Sequence, residues 1–167
     1  MVIFDEDEWL MNIKGKKIRI ILLIIVLLIF SMIYFRPLSL LEKVNESNQI
    51  RIVMTEFVYK GGNPGINSTQ YAPLSSEQNQ EFLAILRKYP YRRTILPPFS
   101  DGSMPNGGNQ LLNLFLYENT EDVGIIFISS QGKISIDSKN YRIKNSDVLI
   151  QEVVEFLNES GIEEINR

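Results

Sequence analysis

The chain has 167 residues, a net charge of −3, and neither cysteine nor histidine. The missing cysteine excludes disulfides, thiol nucleophiles and Cys-based zinc or iron–sulfur sites, and the missing histidine removes the commonest general base and metal ligand. We therefore expect no cofactor and no metal, and the lack of a basic stripe argues against nucleic acid as a partner.

An uncharged apolar run from Ile20 to Phe35, interrupted only by Ser31, predicts a transmembrane helix over residues 18–36. A buried core helix would normally show a polar face, which this run lacks. A cleaved signal peptide is the stronger rival, but residues 34–37 contain no small-x-small cleavage motif. We favour an uncleaved anchor.

Positive charge near the two ends of the run predicts its orientation. Four Lys/Arg residues precede the run and two follow it: Lys14, Lys16, Lys17 and Arg19, then Arg36 and Lys43. Because the more positive flank stays inside, residues 1–17 are expected to form a cytoplasmic tail of a single-pass protein in the cell membrane. The C-terminal domain is then expected outside, with the lipid bilayer as one partner.

Residues 37–49 are largely polar and unpatterned after Leu41, which predicts a membrane-proximal linker. An extracytoplasmic domain is expected over residues 50–160, followed by a C-terminal tail, 161–167. The segment 50–59 is β-branched and aromatic and predicts a strand. The Gly- and Pro-rich segment 60–73 predicts a loop.

The first predicted helix of the domain follows Ser75, which can cap it together with Gln78. Phe82 and the apolar residues that follow at helical spacing give this helix one apolar face. A strand over 91–96 is predicted next, and then a long surface loop over 97–109.

Apolar runs separated by turn residues predict an antiparallel meander. Its strands are expected at 110–117, 123–129, 133–137 and 141–144, and a last amphipathic helix is expected at 147–158. The predicted fold is α+β, with an antiparallel sheet of about five strands, both helices on one face, and the order β-α-β-β-β-β-α.

The loop 97–109 contains Ser103-Met104, which resembles the Ser-Met pair around the nucleophile of type I signal peptidases. The resemblance spans about four residues and implies a lysine partner in an apolar strand. Lys133 and Lys139 lie instead in polar hairpin contexts, where desolvation would not lower a lysine pKa. We therefore interpret the segment as a loop of turn-forming residues.

Carboxylates could supply a hydrolase with an acid–base pair or bind calcium. The candidates are Asp101, Glu118, Glu121, Asp122 and Asp137. No loop has calcium-ligand spacing, and Glu121-Asp122 falls in a predicted turn, where acidic residues bond locally. Solvated surface is the preferred interpretation.

Arg92 and Arg93, with Tyr91 beside them, form a basic and aromatic cluster that could hold an anionic headgroup, a wall polymer or an acidic partner. The alternative is ordinary surface charge, because adjacent strand residues point to opposite faces. We expect a binding domain for a protein or envelope component, using these residues or the loops 60–73 and 97–109, rather than an enzyme. The alternative is an extracytoplasmic hydrolase.

Overall fold

A computed structural model of the chain describes residues 6–45, 47, 49–60, 63–94, 109–118 and 121–165. The chain divides into two compact units, Met1–Arg36 and Pro37–Arg167. Each unit is described by itself below.

The first unit contains one helix, α1 (Glu6–Tyr34). Its stretch Lys16–Tyr34 is long and apolar enough to cross a membrane, and its large apolar side chains from Ile18 onward are exposed to the surroundings. A signal sequence near an N-terminus has the same length and composition. α1 is therefore a helix that a lipid bilayer can accept, as the sequence predicted.

The second unit is α+β, and its described residues form three helices and eight strands. The elements in chain order are α2 (Leu40–Val44), β1 (Gln49–Lys60), β2 (Asn63–Tyr71), α3 (Ser76–Arg87), β3 (Tyr91–Arg93), β4 (Gln110–Glu118), β5 (Glu121–Ser129), β6 (Lys133–Ile136), β7 (Lys139–Ile143), α4 (Ser146–Glu159) and β8 (Glu164–Ile165). The strands form one antiparallel sheet in the order β3-β7-β6-β5-β4-β1-β2-β8.

One face of this sheet is the core. Ile52, Leu114, Ile126 and Ile136 are successive cross-strand partners from β1 to β6, and all four are buried. Because side chains alternate along a strand, this row places the apolar half of each strand on one side. The same cluster contains the buried residues of all three helices of the unit.

The two long helices form where the sequence predicted them. Ser75 and Gln78 make the expected reciprocal capping box at the start of α3. α4 contributes Phe156, whose ring lies 6.1 Å from that of Phe82 in α3. Each helix therefore buries one apolar stripe against the sheet and its neighbour.

The segment expected to be a linker is different in the structure. Within residues 37–49, Ser39 caps the short helix α2, and Leu40 and Val44 are only 0% and 2% exposed. Leu38 also forms an isolated antiparallel bridge with Tyr91. Leu40 and Val44, which fall in the predicted linker, are therefore part of the domain core.

The sheet has more strands than the five expected. The segment 60–73, predicted to be a loop, contains β2, which pairs with β1 from Lys60↔Asn63 to Val53↔Gln70. Pro64 is compatible with this strand because β8 pairs with Gln70 and Tyr71, and no other described strand pairs with β2 on that side, beside Pro64. Pairing with a long strand outweighs the weak strand propensity of the segment.

Candidate anion-binding cleft

The structure separates the three residues that the sequence proposed as a binding cluster. Tyr91, Arg92 and Arg93 make up β3, and successive side chains point to opposite faces. Tyr91 is 7% exposed and joins the core, where its ring meets Tyr141 edge to face at 4.9 Å. Desolvation, and then the charge of the Tyr141 phenol, raise the pKa of Tyr91. Arg93 lies on the side of Tyr91, and Arg92 lies on the other.

Arg92 lines an open cleft of about 740 Å³ at one end of the sheet. We call it the basic cleft, and its charged lining residues are Lys88, Arg92, Arg142, Lys144 and Asp147. The remaining wall comes from the β5–β6 turn at residues 130–132, the end of β7 and the start of α4. Four cations and one carboxylate thus surround a cleft in a chain whose net charge is −3.

The two arginines of the basic cleft are direct neighbours. Arg92 and Arg142 are cross-strand partners in the β3–β7 ladder, and Arg142 is also opposite Lys133 of β6. Residues directly opposite have Cβ atoms about 4.5–5.5 Å apart, and like charges in such pairs are destabilising. No salt bridge to Arg92 or Arg142 forms among the described residues, so this repulsion is not offset there.

Lys88 has a different role from the arginines. Its Nζ lies 2.8 Å from Glu152 Oε2, and the hydroxyl of Tyr89 donates to the other oxygen, Oε1, at 2.9 Å. The hydrogen bonds from Lys88 and then Tyr89 lower the pKa of Glu152. Burial, followed by the bond to Glu152, raises the pKa of Tyr89 to about 12. This triad connects the end of α3 to α4 and leaves the arginines and Lys144 as the cleft cations without an ion pair within the described ranges.

The start of α4 forms one wall of the basic cleft. Asn145 precedes the helix in a left-handed conformation, with φ 52°, and its side chain makes no capping hydrogen bond. Ser146 is buried, and its hydroxyl accepts a hydrogen bond from the Gly132 amide at 2.8 Å. That bond fixes the β5–β6 turn against the helix, so the cleft wall is held in place.

The other sequence candidates that fall in the described ranges do not assemble into a site. Ser103 and Asp101 lie outside the described residues. Asp137 pairs with Lys43 at 3.0 Å, and Asp122 accepts a bond from the Gly124 amide, so both bond locally. Within the described residues no cluster of three or more carboxylates could hold a metal ion.

Sequence reasoning found Arg92 but not its partners. Arg142 lies in β7 and Lys144 directly follows its last residue, Ile143, and both line the basic cleft. The local sequence does not indicate that β3 pairs with β7 rather than with β4, the next strand along the chain. The cluster therefore depends on the sheet order.

Comparison with known proteins found no match to the chain among family models, curated proteins or solved structures.

Proposed function

We propose that this chain is a membrane-anchored binding protein whose outer domain holds an anionic protein or envelope component in the basic cleft. The observation that supports it is the convergence of Arg92, Arg142 and Lys144 on one cleft. Cations brought this close repel one another, and an anion bound in the cleft would offset that repulsion. Arginine is also the side chain best suited to forked hydrogen bonds with oxyanions.

The proposal includes the anchor. α1 stays attached to the domain, the N-terminal tail remains in the cytoplasm, and the domain faces outward. The Lys/Arg excess before the apolar stretch supports this orientation, and the absence of a small-x-small motif after it supports retention.

Labelling of single cysteines tests the anchor, because the chain contains no cysteine of its own. One variant is Gln80→Cys, at an exposed position of α3, and the other is Asn12→Cys. In intact cells, a membrane-impermeant maleimide should label the first variant and reach the second only after permeabilisation. The reverse pattern contradicts the orientation, and a mature chain that begins after residue 36 contradicts the anchor.

Photo-crosslinking in native membranes tests the cleft. A benzoylphenylalanine at Gln131, an exposed residue lining the cleft, is compared with one at Glu159, an exposed residue at the end of α4. We expect an acidic protein or anionic polymer to crosslink from position 131 and not from 159, and the product to disappear when Arg92→Gln and Arg142→Gln are added. Equal products from both positions, unaffected by the arginine changes, contradict the proposal.

A further inference from the structure

The arginine pair also indicates which kind of anion the basic cleft accepts. This step rests on the proposed function, because it assumes that the cleft is a binding site. The relevant contrast is between carboxylates, as on an acidic protein, and phosphoryl groups, as on a lipid headgroup or an envelope polymer.

The acceptor lone pairs of a carboxylate lie in its own plane, so it binds two guanidinium forks together only when both guanidiniums are nearly coplanar with it. Arg92 and Arg142 present two forks from adjacent strands at directly opposed positions. The two non-bridging oxygens of a phosphodiester carry lone pairs on all sides of the O–P–O plane, so both forks can bond to them in a wider range of mutual orientations. Two guanidiniums on adjacent strands therefore match a phosphate group better than a carboxylate.

The cleft already contains a carboxylate that the arginines do not use. Asp147 lines the same cleft, yet within the described residues it makes no ion pair with either arginine. Lys144 adds a third cation to the wall. The guanidiniums of Arg92 and Arg142 are therefore not paired with Asp147 and can bind an external ligand.

The size of the cleft bears on how the phosphate is attached. At about 740 Å³, and open to solvent, it is larger than a single phosphate ion requires, since small-molecule sites commonly span about 300–1,000 Å³. A group that continues on both sides of the phosphorus fits this shape. We propose that the basic cleft binds a phosphodiester, with Arg92 and Arg142 sharing its two non-bridging oxygens and Lys144 adding charge.

The test uses the full chain in micelles of dodecyl maltoside, a non-ionic detergent that contains no phosphate. Two labelled probes of equal charge number are titrated: a synthetic glycerol-phosphate oligomer, which carries phosphodiesters without bases, and an oligoglutamate. We expect the phosphodiester oligomer to bind about tenfold more tightly, a preference that corresponds to about one bonded contact. Equal affinity for both probes overturns the phosphodiester assignment and leaves the proposed function standing, whereas binding of neither probe overturns both.

A charge-conserving variant separates fork geometry from charge. Arg92→Lys with Arg142→Lys keeps both positive charges and removes the forks. We expect this variant to bind both probes more weakly and to lose the phosphodiester preference. An undiminished preference in the lysine variant overturns the assignment of the two forks.

Competition identifies the source of the phosphodiester. Glycerophosphoglycerol and a short-chain phosphatidylglycerol carry the same diester, with and without a lipid body. Displacement by both at similar concentration supports a soluble or polymeric source, and stronger displacement by the lipid supports a headgroup. Displacement by neither overturns the phosphodiester assignment.

Discussion

Arg92 and Arg142 are directly opposed in the β3–β7 ladder, and both are exposed. A pair of this kind opposes folding, because like charges directly opposite in a sheet are destabilising by about 0.2–1 kcal/mol. We expect Arg142→Gln to raise the free energy of unfolding by an amount of this order while it weakens binding of the glycerol-phosphate oligomer. Urea denaturation and a binding titration on the same variant measure the two effects.

The opposite sign of these effects distinguishes a binding site from a structural cluster. If Arg142→Gln lowered both stability and affinity, the arginine would be supporting the fold, and its role in the cleft would be indirect. Lys139→Gln, at an exposed position in the β6–β7 turn region, is the matched control for loss of one positive charge.

Tyr89 contributes to the loss of stability at alkaline pH. Its pKa is raised to about 12 in the folded domain, whereas an unfolded tyrosine loses its proton at about 10. Between these values the unfolded chain releases a proton that the folded chain keeps, so stability falls as the pH rises from about 10 to 12. Tyr89→Phe should remove this part of the decline, measured by thermal unfolding across that range. An unchanged alkaline decline would contradict the assignment to Tyr89.

Glu152 contributes to the loss of stability at acidic pH. Its pKa is lowered from 4.5 in the folded state, first by the Lys88 hydrogen bond and then by Tyr89. Below pH 4.5 the unfolded chain therefore binds a proton more readily than the folded chain, and stability is lost as the pH falls through the folded pKa. Glu152→Gln should make the free energy of unfolding, measured by urea denaturation, fall less steeply as the pH drops below 4.5. The matched control is Glu155→Gln, one turn along α4, and an equal effect of the control would show that the Lys88–Tyr89–Glu152 triad is not responsible.

The fold could be predicted from the sequence where the signal was local. The capping box at Ser75 and the apolar stripe of α4 depend on neighbouring residues, and both helices formed as expected. The apolar runs of the meander also predicted its strands, but Glu121 and Asp122, which were expected in a turn, belong to β5. β2 was missed although Gly61-Gly62 separates it from β1, because a two-glycine hairpin signal was followed by a segment of weak strand propensity. Only pairing with β1 makes it a strand.

The candidate site was partly predictable for the same reason. Arg92 belongs to a visible cluster of basic residues, but the local sequence suggested Arg93 and Tyr91 as its companions. The actual neighbours, Arg142 of β7 and Lys144 just after that strand, lie about 50 residues later in the chain. Strand order is a property of the whole chain, and a local pattern does not contain it.

Substitution of Leu40 tests whether α2 belongs to the domain. It is fully buried among core residues, and Leu→Ala changes at such sites cost about 2–5 kcal/mol. We expect Leu40→Ala to lower the free energy of unfolding by an amount in that range. Glu42→Ala, at an exposed position of the same helix, should change it by less than about 0.5 kcal/mol. If Leu40→Ala left the free energy of unfolding unchanged, residues 37–49 would be a linker rather than part of the domain.

Gly124 makes room for the ion pair that joins α2 to the meander. A Cβ atom there would lie 2.8 Å from Asp137 Oδ1 and 2.9 Å from Lys43 Cε, so Gly124→Ala must displace the Lys43–Asp137 pair. Because both contacts are ends of flexible side chains, we expect a cost of about 0.2–1 kcal/mol. In an Asp137→Gly background, which tolerates the φ of 47° at that residue, the cost should largely disappear. An additive double variant would show that the ion pair is not the source of the cost.

The most direct test of the binding role is the affinity of the full chain for the glycerol-phosphate oligomer in two variants with the same net charge. Arg92→Gln with Arg142→Gln removes the opposed pair, and Arg87→Gln with Lys139→Gln removes two exposed cations outside the cleft lining. We expect the first variant to weaken binding by about tenfold or more and the second by less than about twofold. Equal weakening in both variants would mean that the oligomer responds to overall charge, and the basic cleft would not be the site.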